Sequence, residues 1–450
     1  MTKSSLAVVI LLFFGGSSFA ADRPNIVLIL TDDQGWSQRS GTMHPDLDFS
    51  KSNYLHTPNM DRIATTGMRF TSGYSPAPLC TPTRRSIVNG TSAARSGSEF
   101  SSTWVPSEHI TIPKAIKQAD AAYQCAHFGK WGEKMISSPE ECGYDESDGH
   151  TGNATGGMAN KDDPFHIVDD PKRTDSVTKR SIQFMRGQVK ANKPFYLQVS
   201  YYAVHLRTEL LQATLEKYQE KGVPDRGYSH GWAGMLEELD RGIGDLLDAL
   251  DELDISQNTY VVFMSDNGGR GTVPGGNEKS PPTNSPLSGA KHSLQEGGIR
   301  VPFLVRGRSI QAGSVCHVPV VGYDLLPTFF ELAGGKDSPS NEIDGGSFVS
   351  LLASPQSGTV KRPVDGVIFS RPRRRQAAIR QGDFKLLCSV NDDKLNPASG
   401  QLFNVQTDVS ETNDLASTLP DKANQLQNTL TAYLAKFKDP SGSNKPKKKK

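Results

Sequence analysis

Two apolar segments, each followed at once by acidic or amide residues, constrain the fold of this chain more than any other feature. The segments span residues 26–30 and 260–264, and the polar residues that follow them are Asp32, Asp33, Asp266 and Asn267. An apolar run without polar alternation is typical of a strand buried on both faces. In α/β folds the carboxyl ends of such parallel strands meet at one edge of the sheet. The pattern therefore predicts a large, mostly parallel sheet with these polar side chains gathered at one edge.

Other segments predict helices that pack on this sheet. Between residues 232 and 250 apolar residues recur at intervals of three and four, which predicts a long amphipathic helix before the second strand. The order helix then strand is typical of a right-handed crossover. Its polar positions are expected to face solvent; they are Glu237, Asp240, Asp245, Asp248 and Glu252.

Shorter elements are predicted along the rest of the main domain. We expect a helix from Thr57 to Ala64, a helix after Pro82, a strand over 195–201 that closes at His205, a loop over 270–288 and a helix over 324–333. The helix after Pro82 would place Cys80 near a helix N-terminus, where the helix dipole favours a bound anion.

The last quarter of the chain predicts a smaller α+β subdomain. A linker rich in Gly, Ser and Pro covers 334–347, and strand-like pieces at 367–370, 377–379 and 384–387 precede a helix over 422–437. We therefore divide the chain into a catalytic domain over 21–360, a C-terminal subdomain with an antiparallel sheet over 361–439, and a disordered basic tail over 440–450.

The N-terminal segment and the net charge limit the expected cellular location and the expected binding partners. Lys3, an apolar core over 6–14 and small residues up to Ala20 predict a secretory signal peptide over 1–20, cleaved after Ala20. Because no other segment reaches transmembrane length, we expect a secreted or periplasmic protein without stable membrane insertion. The net charge of +1 makes a nucleic-acid partner unexpected. The oligomeric state stays open.

The polar residues at the two strand ends predict a metal site. Three carboxylates and one amide oxygen are hard ligands, and so many anionic oxygens favour one Ca²⁺ ion over Mg²⁺. Acidic residues after strands also cap helices or form turns, and for either pair taken alone that interpretation stays open.

A series of motifs in order resembles the type I sulfatase family of the alkaline phosphatase-like superfamily. The motifs are 25–35, 57–70, the C-x-P-x-R pentad from Cys80 to Arg84, 129–132, His205, 265–268, 289–302 and 401–416. The resemblance covers nearly the whole mature chain. It implies an alkaline phosphatase-like core and conversion of Cys80 to formylglycine by a maturation enzyme. The hydrated aldehyde is a geminal diol, so one hydroxyl can attack sulfur while the other later expels sulfate.

The resemblance also implies a role for each residue of the site. Asp32, Asp33, Asp266 and Asn267 would hold the cation together with the matured Cys80. Arg84 would fix the hydrated aldehyde, and Lys130 and Lys291 would bind sulfate oxygens. His205 would protonate or stabilise the leaving alcohol. The implied activity is hydrolysis of sulfate esters, on a sulfated carbohydrate.

Two positions depart from the family pattern. Gly132 stands where many relatives have a histidine that is hydrogen-bonded to the formylglycine, and Val204 precedes His205 where proline is usual. The sequence leaves open which side chain fills the space at Gly132. It also leaves open the pairing of the other cysteines, for which three arrangements exist; they are Cys125, Cys142, Cys316 and Cys388.

Two other functions stay open at this point. One is a phosphate or phosphonate ester hydrolase of the same superfamily, and the other is a catalytically silent protein that binds sulfated glycans.

A basic cluster is expected to be a solvated face; its members are Arg371, Arg373, Arg374, Arg375 and Arg380. A sharper hypothesis is that some of these arginines line a subsite for an anionic glycan with His150, Lys161 or Arg207.

Overall fold

The computed structural model of the protein describes residues 23–97, 99–100, 102, 104–157, 164–391, 394–395 and 400–437. The predicted signal peptide, the predicted basic tail over 440–450 and Lys161 lie outside the described residues. Among the described helices, none combines the length and the apolarity that crossing a bilayer requires.

The described elements alternate between strands and helices over most of the chain. The helices are α1 (Pro58–Thr66), α2 (Cys80–Asn89), α3 (Ile112–Ala119), α4 (Thr174–Lys190), α5 (Gln212–Glu220), α6 (His230–Glu252), α7 (Glu296–Ile299), α8 (Leu325–Leu332), α9 (Val349–Ala353) and α10 (Pro420–Leu434). The strands of the main domain are β1 (Asn25–Thr31), β2 (Met68–Phe70), β3 (Gly73–Tyr74), β4 (Gln124–Gly129), β5 (Glu146–Ser147), β6 (His166–Ile167), β7 (Phe195–Ser200), β8 (Glu209–Leu210), β9 (Thr259–Ser265), β10 (Phe303–Arg306), β11 (Ser314–Cys316) and β12 (Val320–Val321). The C-terminal strands are β13 (Val367–Arg371), β14 (Gln376–Gln381), β15 (Phe384–Asn391), β16 (Lys394–Leu395) and β17 (Gln401–Asn404).

Eight strands form one large sheet in the order β11-β2-β10-β9-β1-β7-β4-β5. Only β10 runs antiparallel to its described neighbours, β9 and β2, and the other pairs are parallel. The prediction of a mostly parallel α/β sheet is confirmed.

Helices cover both faces of this sheet because its central strands are apolar on both. In β1, Val27 and Ile29 pack in the core that contains α6, whereas Ile26 and Leu28 pack in the core that contains α3 and α8. Burial on both faces explains why β1 lacks polar alternation.

The C-terminal strands form a separate antiparallel sheet, as predicted. Leu426 and Leu430 of α10 pack against Ile379 and Leu386 of this sheet. Buried Lys385 donates hydrogen bonds to Glu296 Oε1 at 3.0 Å and to Glu411 Oε1 at 2.7 Å, and thereby ties β15 to α7.

Two expectations about charged residues are wrong. Asp240 does not face solvent, because its carboxylate accepts the backbone N–H groups of Asn59 at 2.9 Å and Met60 at 2.8 Å in the first turn of α1. The arginine cluster is not wholly a solvated face, because Arg371 and Arg380 are buried. Arg380 Nη1 donates to Tyr74 Oη at 3.0 Å.

The cysteines answer the open question of pairing. All five lie in the described part of the chain, and each is a buried free thiol.

Helix α2 begins at Cys80 itself, two residues before the predicted start at Pro82.

Candidate active site

The four predicted oxygen ligands of the metal meet at the carboxyl edge of the sheet. Strands β1 and β9 pair in parallel with Thr31 opposite Ser265, so the residues that follow both strands come together. The backbone N–H of Asp33 donates to Asp266 Oδ1 at 3.2 Å, and Asn267 Nδ2 donates to Asp33 Oδ1 at 2.8 Å. Asp33 has a φ of 65°, which turns the chain sharply after the strand.

Cys80 lies against these carboxylates at the first residue of α2. Its thiol donates to Asp32 Oδ1 at 3.5 Å, and Lys291 Nζ donates to its sulfur at 3.4 Å. One ligand atom from each of Asp32, Asp33, Cys80 and Asp266 fits within a cluster whose members are at most 4.8 Å apart. Burial raises the pKa of the Cys80 thiol to about 12.

Arg84 lies one helical turn after Cys80 and connects three elements. Its Nε and Nη2 donate to Asp266 Oδ2 at 2.9 and 2.8 Å, and its Nη1 donates to the Lys130 carbonyl at 2.6 Å. The planar fork of a guanidinium suits this arrangement, because its donors point in fixed directions. Arg84 therefore connects α2 to the ends of β9 and β4.

Two buried lysines neutralise the first acidic pair. Lys130 Nζ donates to Asp32 Oδ2, and Lys291 Nζ donates to Asp33 Oδ2 at 2.7 Å. Burial by itself lowers the pKa of each lysine, but the adjacent carboxylate reverses this and raises the pKa above the ordinary value. Both lysines are therefore cations beside Cys80.

The three carboxylates experience different surroundings. Burial by itself raises the pKa of Asp32 and of Asp33, but Lys130 and Arg84 acting on Asp32 and Lys291 acting on Asp33 hold these two pKa values below the ordinary range. Burial and the charge of Asp32 raise the pKa of Asp266 to about 6, against the opposing charge of Arg84. The site thus concentrates charges that burial alone would not support.

His205, the last of the predicted catalytic residues, lies in the turn after β7. The carbonyl of Ala203 accepts the Asp32 N–H at 2.9 Å, which holds this turn beside the predicted metal ligands. His205 Nδ1 donates to the Leu206 carbonyl at 2.6 Å, and Nε2 lies 3.9 Å from Asp33 Oδ2. Burial lowers the pKa of His205 to about 4, so the free site holds a neutral imidazole with Nε2 as an acceptor.

Met135 fills the space next to Gly132. A Cβ atom on Gly132 would lie 2.9 Å from Met135 Cγ and 3.9 Å from Arg84 Cδ, and the φ of Gly132 is 155°. Met135 is buried in the core that also contains Trp131. The space beside Arg84 that would receive a side chain at position 132 is therefore taken by a thioether.

The donor set fits a cation. Asn267 Oδ1 is buried and has no hydrogen-bond partner within the described ranges, while its Nδ2 is bound to Asp33. A buried carbonyl oxygen without a donor beside three carboxylates is the arrangement that a hard cation satisfies.

One residue near the site was missed by the sequence analysis. Lys172 lies in a turn before α4 and is 1% exposed, and its Nζ donates to the Gly157 carbonyl at 3.0 Å. Its neighbours Pro171 and Arg173 are typical of a surface turn, so no local signal distinguished it. Of the residues named for a glycan subsite, His150 and Arg373 to Arg375 are exposed, and Arg207 is half-buried.

Comparison with known proteins agrees with this geometry. The family model described as Sulfatase matches residues 24–335. N-acetylgalactosamine-6-sulfatase of Mus musculus is 30% identical over 403 residues, covering 81% of this chain and 72% of that protein. A protein named sulfatase from Formosa agariphila is 26% identical over 526 residues, covering 94% of this chain and 91% of that protein.

Solved structures share the architecture over nearly the whole chain. The crystal structure of Ps i-CgsB in complex with k-i-k-neocarrahexaose superposes with a TM-score of 0.75 and 27% identity, covering 93% of this chain and 94% of that one. Phosphonate monoester hydrolase SpPMH from Silicibacter pomeroyi, with a TM-score of 0.66, 15% identity and coverage of 93% and 96%, shares the fold alone. From its family match and its relatives, the chain belongs to the sulfatase family and is a sulfuric ester hydrolase.

Proposed function

We propose that this protein is an exported, calcium-dependent sulfatase that hydrolyses sulfate esters of a sulfated carbohydrate through a formylglycine formed from Cys80. The observation that carries the proposal is the position of the Cys80 side chain, whose sulfur contacts both Asp32 and Lys291. A nucleophile placed there touches both the metal ligands and a cation that can bind a sulfate oxygen.

The metal part of the proposal rests on the oxygen ligands. Asp32, Asp33, Asp266 and Asn267 would hold Ca²⁺ with the matured Cys80 side chain. Several anionic oxygens suit calcium, whereas Mg²⁺ keeps more of its water. When bound, the cation would supply positive charge that polarises a sulfate oxygen.

The nucleophile requires a chemical change at Cys80. A maturation enzyme would oxidise its CH₂–SH group by two electrons with an external oxidant such as O₂, releasing the sulfur as sulfide and leaving an aldehyde. The hydrate of this aldehyde carries two hydroxyl groups. One hydroxyl would attack sulfur and displace the sugar alcohol, and the other would then expel sulfate as the carbonyl re-forms. Arg84, held by Asp266, would donate to the hydrate from the helix that carries it.

The surrounding cations suit a transition state in which charge spreads over oxygens. Lys130 and Lys291 are buried, one paired with Asp32 and the other with Asp33, and would exchange part of their contact with the carboxylates for sulfate oxygens. His205, with Nε2 toward Asp33, would lie by the bridging oxygen and, once protonated at Nε2, would donate that proton to the leaving alcohol.

Substrate class and location have separate support. Relatives named for an N-acetylgalactosamine sulfate, and a similar structure with a bound neocarrahexaose, favour a sulfated carbohydrate. The N-terminal apolar segment with small residues up to Ala20 supports export to the periplasm or beyond the cell.

Mass spectrometry of the peptide that contains Cys80 tests the nucleophile. The protein would be produced with and without a formylglycine-generating enzyme, and Cys80→Ala would be the control. We expect the aldehyde mass and sulfate release from a panel of sulfated sugars only after co-expression. An unmodified thiol together with no sulfate release would contradict the proposal.

The same preparations separate the other two functions. Faster turnover of 4-nitrophenyl phosphate than of 4-nitrophenyl sulfate would indicate a phosphate ester hydrolase. Glycan retention that survives Cys80→Ala, without sulfate release by the parent, would indicate a binding protein.

A further inference from the structure

Lys172 is a buried lysine whose amine has a neutral partner. Its Nζ donates to the Gly157 carbonyl at 3.0 Å, while the neighbouring carboxylate of Glu209 accepts the backbone N–H of Lys172. Buried lysines are usually paired with an anion, because removing an ammonium from water is costly. The amine therefore has capacity to bind a further anion.

The segment that holds Lys172 lies against the His205 side of the active site. A Cβ atom on Gly156 would overlap the ring of Tyr202, at 2.2 Å from Cγ, so this backbone packs directly on that ring. The Tyr202 carbonyl in turn accepts the His205 N–H at 3.1 Å. Gly157, which holds the Lys172 amine, is thus one residue from the wall that supports His205.

The other end of this segment contacts the turn that carries Lys130. Trp131 donates its backbone N–H to Thr151 Oγ1 at 2.9 Å, and Gly132 donates to the Thr151 carbonyl at 3.0 Å. The stretch from Thr151 to Gly157 therefore bridges the Lys130 turn and the His205 turn, and Lys172 is bound at its end.

Arg207 provides a second cation on the same side. It follows His205 by two residues, and its Nε is buried without a hydrogen-bond partner in the described ranges. Glu209, the nearby carboxylate, accepts the backbone N–H of Lys172 at 2.9 Å rather than its amine.

The groups that shift the pKa of Lys172 include residues of the active site. Burial lowers the pKa of Lys172 to about 8; Glu209 and Asp32 raise it, and Lys130 and Arg207 lower it further. A buried ammonium whose hydrogen-bond acceptor is neutral is stabilised by an added anion.

We infer that Lys172 and Arg207 form a second anion subsite that binds a sulfate or carboxylate group on the leaving sugar, apart from the sulfate that is hydrolysed. The inference rests on the proposed function, because His205 marks the side on which the leaving alcohol departs. It predicts an enzyme that prefers a sugar with two anionic groups.

Kinetics with a matched pair of sugars tests this subsite. The probes are N-acetylgalactosamine 6-sulfate and N-acetylgalactosamine 4,6-disulfate, with 4-nitrophenyl sulfate as the reference substrate. We expect the parent to prefer the disulfate. Lys172→Met and Arg207→Gln should each raise its KM about 10-fold, the scale of one lost charge-assisted contact, with kcat changed less than about 2-fold.

Arg173→Met is the matched control, because Arg173 is exposed and shares the left-handed backbone of Lys172, with φ values of 53° and 54°. It should behave as the parent, and Lys172→Arg should recover part of the preference. Arg207→Gln carries the test if Lys172→Met does not fold.

These measurements distinguish failure of the second anion subsite from failure of the proposed sulfatase function. No preference of the parent for the disulfate, or a preference that Lys172→Met and Arg207→Gln leave unchanged, would overturn the subsite. Loss of 4-nitrophenyl sulfate turnover in the parent itself would instead count against the proposed function.

Discussion

Arg84 binds Asp266 through two hydrogen bonds to the same carboxylate oxygen, from Nε at 2.9 Å and from Nη2 at 2.8 Å. Its third donor group, Nη1, reaches the Lys130 carbonyl. One side chain thus holds a proposed metal ligand and the turn of a proposed sulfate-binding lysine in a fixed relation to Cys80.

Replacing Arg84 by lysine should therefore inactivate the enzyme although the charge is kept. A lysine ammonium cannot reach both Asp266 and the Lys130 carbonyl with the geometry of a fork. We expect kcat for a sulfate ester to fall by about 100-fold or more, the usual effect of losing a preorganised donor. Arg62→Lys, in an exposed ion pair with Asp248, is the control and should retain activity. Equal activity of the two variants would contradict the role of Arg84.

Removing the metal should lower both activity and stability. Without a cation, the carboxylates of Asp32, Asp33 and Asp266 and the oxygen of Asn267 remain buried together with incomplete compensation. We expect EDTA to abolish sulfate release and lower Tm, and Ca²⁺ to restore both more fully than Mg²⁺.

The amide oxygen can be tested separately from the carboxylates. Asn267→Ala should raise the Ca²⁺ concentration needed for half-maximal activity by about 10-fold or more, because a ligand is lost. Asn413→Ala, on the exposed surface, is the control. An unchanged calcium requirement in Asn267→Ala would exclude this oxygen from the site.

The contact between Gly132 and Met135 should restrict which residues position 132 accepts. Gly132→Ala is expected to destabilise the protein by about 1–3 kcal/mol, the usual cost of overpacking, because the new Cβ overlaps Met135. Met135→Ala in the same chain should recover part of this loss by opening space. Chemical denaturation of the two single variants and the double variant measures the coupling, and additive effects would show that the two side chains do not compete.

Asp240 should make stability depend on pH. Burial raises its pKa to about 7, against the opposing effect of the N–H groups of Asn59 and Met60. Because this pKa exceeds the unfolded value near 4, the folded protein binds more protons between about pH 4 and 7, and the free energy of unfolding falls as pH rises through this window.

Asp240→Asn should remove that part of the pH dependence. Chemical denaturation at several pH values from 5 to 8 compares it with Asp248→Asn, an exposed acid on the same helix. Parallel curves for the parent and Asp240→Asn would show that Asp240 does not titrate in this window.

The elements that sequence predicts well are those with a local pattern. The apolar run before Asp32, the interval of three and four in the long helix and the turn residues of the linker reflect local backbone and side-chain preferences. The order of strands in the sheet cannot be predicted from such local patterns, because strand pairing joins segments that are distant in the sequence. The insertion of β10 antiparallel between β9 and β2, for example, has no signature in any one segment.

Burial of charged residues was the main source of error for the same reason. Asp240 lies on the polar side of its helix, yet the N-terminus of α1 docks there and needs an acceptor. Arg380 lies in a basic stretch, yet β14 presents it to the Tyr74 hydroxyl. The sequence around Lys172 is typical of a surface turn, but in the structure its Nζ donates to the Gly157 carbonyl.

The α/β class, the types of residue at the site and the family resemblance could be predicted from short segments, because they depend on composition and motif order. Which of these residues meet depends on tertiary packing. The register of Thr31 with Ser265 brings the two acidic pairs together, Arg84 joins Asp266 to the Lys130 turn, and Met135 takes the space beside Gly132. These contacts join residues far apart in the chain, and their geometry exists only once the strands have paired and the helices have packed.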